Sequence, residues 1–169
     1  MVPDRNAAII DIGGGASNLV DALLAEGYSD LTVLDLSAAA IRVARERLGE
    51  NAKAVQWMEA DITRAELARN RYDLWHDRAT FHFLREPAER HAYRERLMHA
   101  LRPGGRVILA TFAENGPEKC SGLPVMRYSP ETLSAELGET FELIRHEKEA
   151  HRTPSGSVQQ FNYCCFCRA

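Results

Sequence analysis

The sequence predicts a doubly wound α/β domain, built on a mostly parallel sheet of seven strands that ends in an antiparallel C-terminal hairpin. Three observations predict it. Short β-rich runs alternate with helical patterns over residues 7–112, which implies parallel strands joined by crossovers and covered on both faces. A glycine turn, Gly13-Gly14-Gly15, follows the first run, where a strand must bend sharply into a helix. Beyond residue 112 the alternation stops, and two long extended stretches follow, as expected of an antiparallel pair added to a parallel sheet.

Residues 7–12, 31–35, 54–58, 72–76 and 106–112 are apolar and β-rich, so each reads as a strand. The helical patterns lie at 17–26, with Leu19, Leu23 and Leu24 on one face, at 38–48, with Ile41, Ala44 and Leu48, and at 87–101, with Tyr93, Leu97 and Leu101. Ser37 is placed to cap the second helix, Gly27 and Gly49 to end the first and second, and Pro87 to open the third. Arg102-Pro103-Gly104-Gly105 reads as a turn into the fifth strand. A loop is expected over 113–128 and a short helix over 129–137, then strands over 141–151 and 158–168 joined through Thr153-Pro154-Ser155-Gly156.

A length of 169 residues favours one domain over the whole chain. Hydrophobic residues at 45% and charged residues at 27% argue against disorder. No apolar run is long enough for a membrane helix, and the opening Met1-Val2-Pro3-Asp4-Arg5 lacks the blocks of a signal peptide, so a cytoplasmic location is expected. A net charge of -3 lacks the basic excess of a nucleic-acid binder. Cys164 and Cys167 form a C-x-x-C, but on a strand they face opposite sides, so they are expected to be inert and no metal site is expected.

In open α/β sheets, ligands sit beyond the carboxyl ends of the strands. Around the glycine turn, a dinucleotide fingerprint wants a small residue at its sixth position, which here is Asn18. Asp11, two residues before the turn, would repel a pyrophosphate and attract a cation such as the sulfonium and ammonium of S-adenosylmethionine. One such charge pair is worth about 4 kcal/mol at close range before desolvation. Asp35 ends the second strand, where a carboxylate accepts ribose hydroxyls. Asp61 follows the third strand and is placed to accept from an adenine amino group, between Leu36 and Ile62 as apolar walls. Asp77 follows the fourth, so acidic groups at four successive strand ends form an electronegative rim.

Ile10-Asp11-Ile12-Gly13-Gly14-Gly15, Val33-Leu34-Asp35-Leu36-Ser37, Ala60-Asp61-Ile62, the run from Tyr72 to Arg78 and Leu101-Arg102-Pro103-Gly104-Gly105 together resemble the class I S-adenosylmethionine-dependent methyltransferases. The resemblance covers nearly the whole chain and implies a Rossmann-like fold whose final hairpin supplies an antiparallel seventh strand. It also implies that Gly13 and Gly15 approach the methionine part of the cofactor and that Ser17 and Asn18 meet its carboxylate. Asp35 would then hold the ribose, Asp61 and Ile62 the adenine, and Asp77 the methionine amino group or the substrate edge. Family members carry helices before the first strand. Here that strand starts close to Met1, so lid helices are expected to be absent. The chain is then either a minimal form with an open cleft or, the favoured reading, a truncated version of a longer product, and the cleft is expected to be weak in affinity unless another chain, as in a homodimer, covers it.

Methyl transfer is an in-line displacement, so the protein mainly aligns the nucleophile and excludes water. For a protonated acceptor the candidate bases are His76, Asp77 and His82, the last placed one turn along a helix beginning near Arg78. Arg78 is a candidate clamp for an anionic substrate, or the partner of a nearby acid, and Cys120, Arg127 and Tyr128 lie in a loop that is placed to contact substrate. The segment Asp77-Arg78-Ala79-Thr80 lacks the Pro-Pro-aromatic sequence of amide and adenine-amino methyltransferases, so a small-molecule or protein acceptor is favoured over nucleic acid. Two rivals remain: a catalytically inactive cofactor-binding or partner subunit, and an NAD-dependent oxidoreductase. The latter is disfavoured by Asp11, Asn18 and the lack of a Tyr-x-x-x-Lys pair.

Overall fold

The computed structural model describes residues 4–153, 156 and 158–169. In chain order the strands are β1 (Ala8–Ile12), β2 (Asp30–Asp35), β3 (Val55–Glu59), β4 (Tyr72–Arg78), β5 (Leu101–Phe112), β6 (Lys119–Cys120), β7 (Leu123–Pro124), β8 (Phe141–Arg152) and β9 (Val158–Arg168). The helices are α1 (Leu19–Ala25), α2 (Ala38–Leu48), α3 (Pro87–Ala100) and α4 (Pro130–Leu137). Seven strands form one sheet in the order β3-β2-β1-β4-β5-β9-β8. β1 to β5 run parallel, and β9 is antiparallel to both β5 and β8. The order reverses about β1, which makes the ends of β1 and β4 the switch point where a crevice opens.

Strand alternation divides the core between two layers. Ile9, Leu31 and Val33 face Val20, Leu23 and Leu24 of α1. Ile10, Ile12, Leu34, Trp75 and Leu109 face Tyr93 and Leu97 of α3 and Leu133 and Leu137 of α4. Ser37 accepts a hydrogen bond from the Ala40 N–H and Gly49 ends α2 at φ +56, so both cap residues act as their types predict. Cys164 is buried in the core, where desolvation pushes its thiol up to about 11, and all four cysteines are free. Among the described residues no group of three or more His, Cys, Asp or Glu side chains is placed to hold a metal, and no helix is long and apolar enough to cross a membrane.

Local differences from the sequence reading have identifiable causes. The first helix starts at Leu19 rather than residue 17, because Ser17 donates its N–H to Gly14 O and accepts the Leu19 N–H on Oγ, keeping the chain in a turn. Arg102 to Gly105 do not form a separate turn. They lie within β5 as an irregularity where pairing slips between Tyr72–Leu101 and Leu74–Arg106, with Gly104 at φ +74. The expected loop over 113–128 contains the ribbon β6-β7, turned tightly through Ser121 at φ +50 and Gly122 at φ +80. No helix begins near Arg78; β4 runs to that residue and a single 3-10 turn, Phe81–Phe83, follows. The proposed hairpin turn at Pro154 and Ser155, like the Met1-Val2-Pro3 start, lies outside the described residues.

Candidate functional site

A cleft of about 460 Å³ opens at the carboxyl ends of β1, β2, β3 and β4. Its floor begins at the glycine turn, where the Gly13 N–H donates to Leu34 O at 2.7 Å and φ is +69. A Cβ on Gly13 would lie 2.0 Å from Thr80 Oγ1, one on Gly14 2.2 Å from Asp11 Oδ2, and one on Gly15 2.6 Å from Ala40 Cβ. All three glycines therefore allow backbone to approach where no side chain fits. The loop is braced by Arg47, which donates to Ala16 O, Ser17 O and the carboxylate of Asp21, and whose bonds hold the Asp21 carboxyl below its ordinary range. Ser17 and Asn18 are exposed at the entrance to α1.

The carboxylates divide into two kinds. Asp35 lines the cleft, with Oδ2 accepting the Gly15 N–H at 2.9 Å and Oδ1 the Ser37 N–H at 2.8 Å, so its orientation is fixed by two backbone donors. Asp61 lines it too, with Oδ1 taken by the Thr63 N–H and hydroxyl. Leu36, 73% exposed, stands on the lip, and Ile62 is buried in the wall. Asp11 and Asp77 are not on the rim, contrary to the four-membered rim expected from the sequence. Asp11 is 4% exposed beneath Gly14, with Oδ1 bonded to His76 Nδ1 at 2.7 Å and Oδ2 left without a partner.

Asp77 points into the opposite layer and is sealed there. It accepts from the Thr80 N–H at 2.8 Å, the Phe81 N–H at 3.1 Å and the Tyr93 hydroxyl at 2.7 Å, and Tyr93 accepts in turn from the Trp75 indole. Desolvation pushes the Asp77 carboxyl up to about 6 despite these donors. Asp77 does not line the cleft, and its bonds to the Thr80 and Phe81 N–H groups fold the chain after β4 so that Thr80 does. His82 is likewise buried, against Phe83 and Phe112, does not line the cleft, and burial depresses its imidazole to about 4. His76 alone of the three base candidates has both an orienting carboxylate and a partly exposed ring.

Among the substrate candidates, Tyr128 is buried and packs on Phe81 at 5.6 Å, so it belongs to the core. Arg127 turns back onto its own loop, donating to Gly116 O and pairing with Glu118. Cys120 is half-buried against the Phe112–Phe161 cluster, and Arg78 is exposed at the end of β4. Sequence reasoning missed Thr80, Phe83, Leu84 and Leu123, which wall the cleft opposite the carboxylates. The only local signal was a run of apolar residues, which reads equally as core. It also missed Ala79, held at φ +68 between β4 and the cleft.

A larger hollow of about 660 Å³ lies between α2 and β3, but it is lined by mixed charges including Arg42, Arg45, Lys53, Glu46 and Glu59 and does not include the glycine turn or Asp35. The 460 Å³ cleft is the better candidate because it joins the glycine turn, two oriented or free carboxylates and an apolar wall, with no Lys, Arg or His in its lining.

A family profile described as "Methyltransferase domain" matches residues 9–105, more than half of the chain. The chain belongs to the class I S-adenosylmethionine-dependent methyltransferases. An uncharacterized methyltransferase of Mycobacterium tuberculosis is 31% identical over 112 residues, covering 66% of this chain and 54% of that protein. The chain thus spans about half the length of the curated relatives it matches. A Methanosarcina mazei SAM-dependent methyltransferase shares the fold at a TM-score of 0.81 and 18% identity, over 98% of this chain and 93% of that one. A Burkholderia thailandensis 1,6-didemethyltoxoflavin-N1-methyltransferase, solved with S-adenosylhomocysteine, shares it at a TM-score of 0.77 and 19% identity, over 98% and 72%. In this methyltransferase-family chain the glycine turn and Asp35 fall inside the matched segment, whereas Leu123 of the ribbon lies beyond it.

Proposed function

We propose that the cleft binds S-adenosylmethionine and that the chain transfers its methyl group to a small-molecule or protein acceptor. The observation that carries this reading is the acidic lining without a basic residue, set on a turn that only glycine can make. Such a cleft repels a diphosphate and suits a cation, and Asp11 Oδ2, buried without a partner beneath Gly14, adds negative charge under the same turn. The residues therefore fit the cofactor. When bound, it supplies a methyl group made electrophilic by the sulfonium.

In this reading Asp35 accepts the ribose hydroxyls on the lone pairs its backbone donors leave free. Asp61, Ile62 and Leu36 hold the adenine, and Gly13 to Gly15 with Ser17 and Asn18 face the amino-acid end. Thr80 fixes the floor by donating to Ile12 O at 3.2 Å. The acceptor's lone pair forms the new bond to carbon as the carbon–sulfur bond breaks, leaving S-adenosylhomocysteine. His76, oriented by Asp11, is the most exposed of the base candidates but stands outside the residues that line the cleft, so alignment of the acceptor rather than a side-chain base carries this reading. Four free cysteines suit a reducing compartment, which supports the cytoplasm, and the acidic net charge supports an acceptor other than nucleic acid. The test is methyl-labelled S-adenosylmethionine incubated with the protein and fractionated metabolites or proteins. Label passing to one fraction is the expected result. Cofactor binding without transfer in any fraction would make the chain a non-catalytic subunit instead.

A further inference from the structure

Beside the cleft, the end of β4 carries a second arrangement. Arg78 pairs in register with Ala110 of β5, and Ala110 with Tyr163 of β9, so the three residues stand in a row on one face of the sheet. Arg78 Nε donates to the Tyr163 hydroxyl at 2.7 Å, and the guanidinium carbon lies 4.8 Å from the centre of the Phe161 ring. Phe161 is itself locked edge-on against Phe112 at 4.8 Å. Ala79, Cys120 and Val125 complete an apolar surround.

An exposed arginine is ordinarily oriented by a carboxylate or left mobile. Among the described residues no acid lies within ion-pair distance of Arg78. Glu118 is engaged by Arg127, and Glu114 by Lys148 and Asn162. Aromatic partners fix this guanidinium while leaving its charge uncompensated. With Nε committed to Tyr163, the free edge is the terminal Nη1–Nη2 pair, whose two parallel N–H bonds match the two oxygens of a carboxylate. Ala79 joins this surface to the cleft, because it lines the cleft and packs on the Phe112–Phe161 cluster.

We propose that Arg78, held by Tyr163 and Phe161, is the recognition point for a carboxylate on the methyl acceptor, and that the acceptor is an apolar or aromatic molecule bearing that carboxylate. This rests on the cleft beside it holding the methyl donor. Arg78 here contacts substrate, and Tyr163 is a positioning residue that acts through it.

The test uses benzoate and its neutral isostere benzamide as probes, titrated while the Arg78 Nε–H resonance is followed by nitrogen-15 NMR. S-adenosylhomocysteine is titrated separately into the same preparation. Benzoate is expected to shift the Nε–H saturably and to bind at least about 10-fold more tightly than benzamide. Arg78→Met abolishes that preference, and Tyr163→Phe weakens it while changing the Nε–H shift before any probe is added. Equal affinity for the two probes, or a preference that survives in Arg78→Met, overturns the proposal even if S-adenosylhomocysteine binds. A benzoate preference without S-adenosylhomocysteine binding leaves the carboxylate site standing and overturns the cofactor reading.

Discussion

Asp77 and His82 flank the turn after β4, both sealed from water, and burial perturbs them in opposite directions. Between about pH 3.8 and 6 the folded chain keeps a proton on Asp77 that the unfolded chain has released, so this group makes stability fall as pH rises. The displacement from 3.8 to about 6 corresponds to about 3 kcal/mol. Between about pH 4 and 6.5 the unfolded chain protonates His82 while the folded chain does not, so this group makes stability rise with pH, again by about 3 kcal/mol. The two contributions oppose each other over nearly the same window. Asp77→Asn removes one, and its stability should climb from pH 4 to 6 by about 2 kcal/mol more than that of the wild type, the rest of the displacement falling outside that window. His82→Asn, whose amide oxygen can still face the Phe112 N–H, removes the other and should lose about 2 kcal/mol relative to the wild type over that window. Urea unfolding followed by tryptophan fluorescence at a series of pH values measures both, and comparison with wild type cancels the exposed carboxylates. A variant whose stability runs parallel to wild type across the window refutes the reasoning for that residue.

Three further outcomes follow from the same contacts. Tyr93→Phe removes the hydroxyl that donates to Asp77 and accepts from Trp75, so the Asp77 transition should move above about 6; an unmoved midpoint would contradict that bond. Gly13→Ala forces an alanine to φ +69 and displaces Thr80 from Ile12 O, at a cost of about 2–3 kcal/mol. Unfolding within about 0.5 kcal/mol of wild type would show that the turn adapts freely. Asp35→Asn sets an amide N–H against either the Gly15 or the Ser37 donor and removes the ribose acceptor, so calorimetry should show S-adenosylhomocysteine binding weakened about 10-fold or more; unchanged affinity would remove Asp35 from the site.

Period and punctuation made most of the architecture legible. The apolar runs, Ser37, Gly49 and Pro87 located strands and helix ends to within a few residues, because caps and periodicity are local properties. The glycine turn and Asp35 were legible for the same reason, since they adjoin a strand end. Sidedness was less accessible. Asp11 and Asp77 also sit at strand ends, yet parity turns one beneath Gly14 and the other toward Tyr93, and that depends on which layer each face of the sheet packs against. His82 reads as a base from its place one turn beyond Arg78 and Tyr128 as a substrate contact from its loop, but long-range packing on Phe112 and Phe81 buries both. The wall of Phe83, Leu84 and Leu123 needs a ribbon folded across from a distant segment, which no local pattern announces.

The preference of an acidic, cation-free cleft for a positively charged adenosyl donor is tested most directly by titrating one preparation with S-adenosylmethionine and, separately, with NADH in a calorimeter. Saturable heat from S-adenosylmethionine and none from NADH is the predicted result. Tighter binding of NADH, or no binding of S-adenosylmethionine at all, would contradict it.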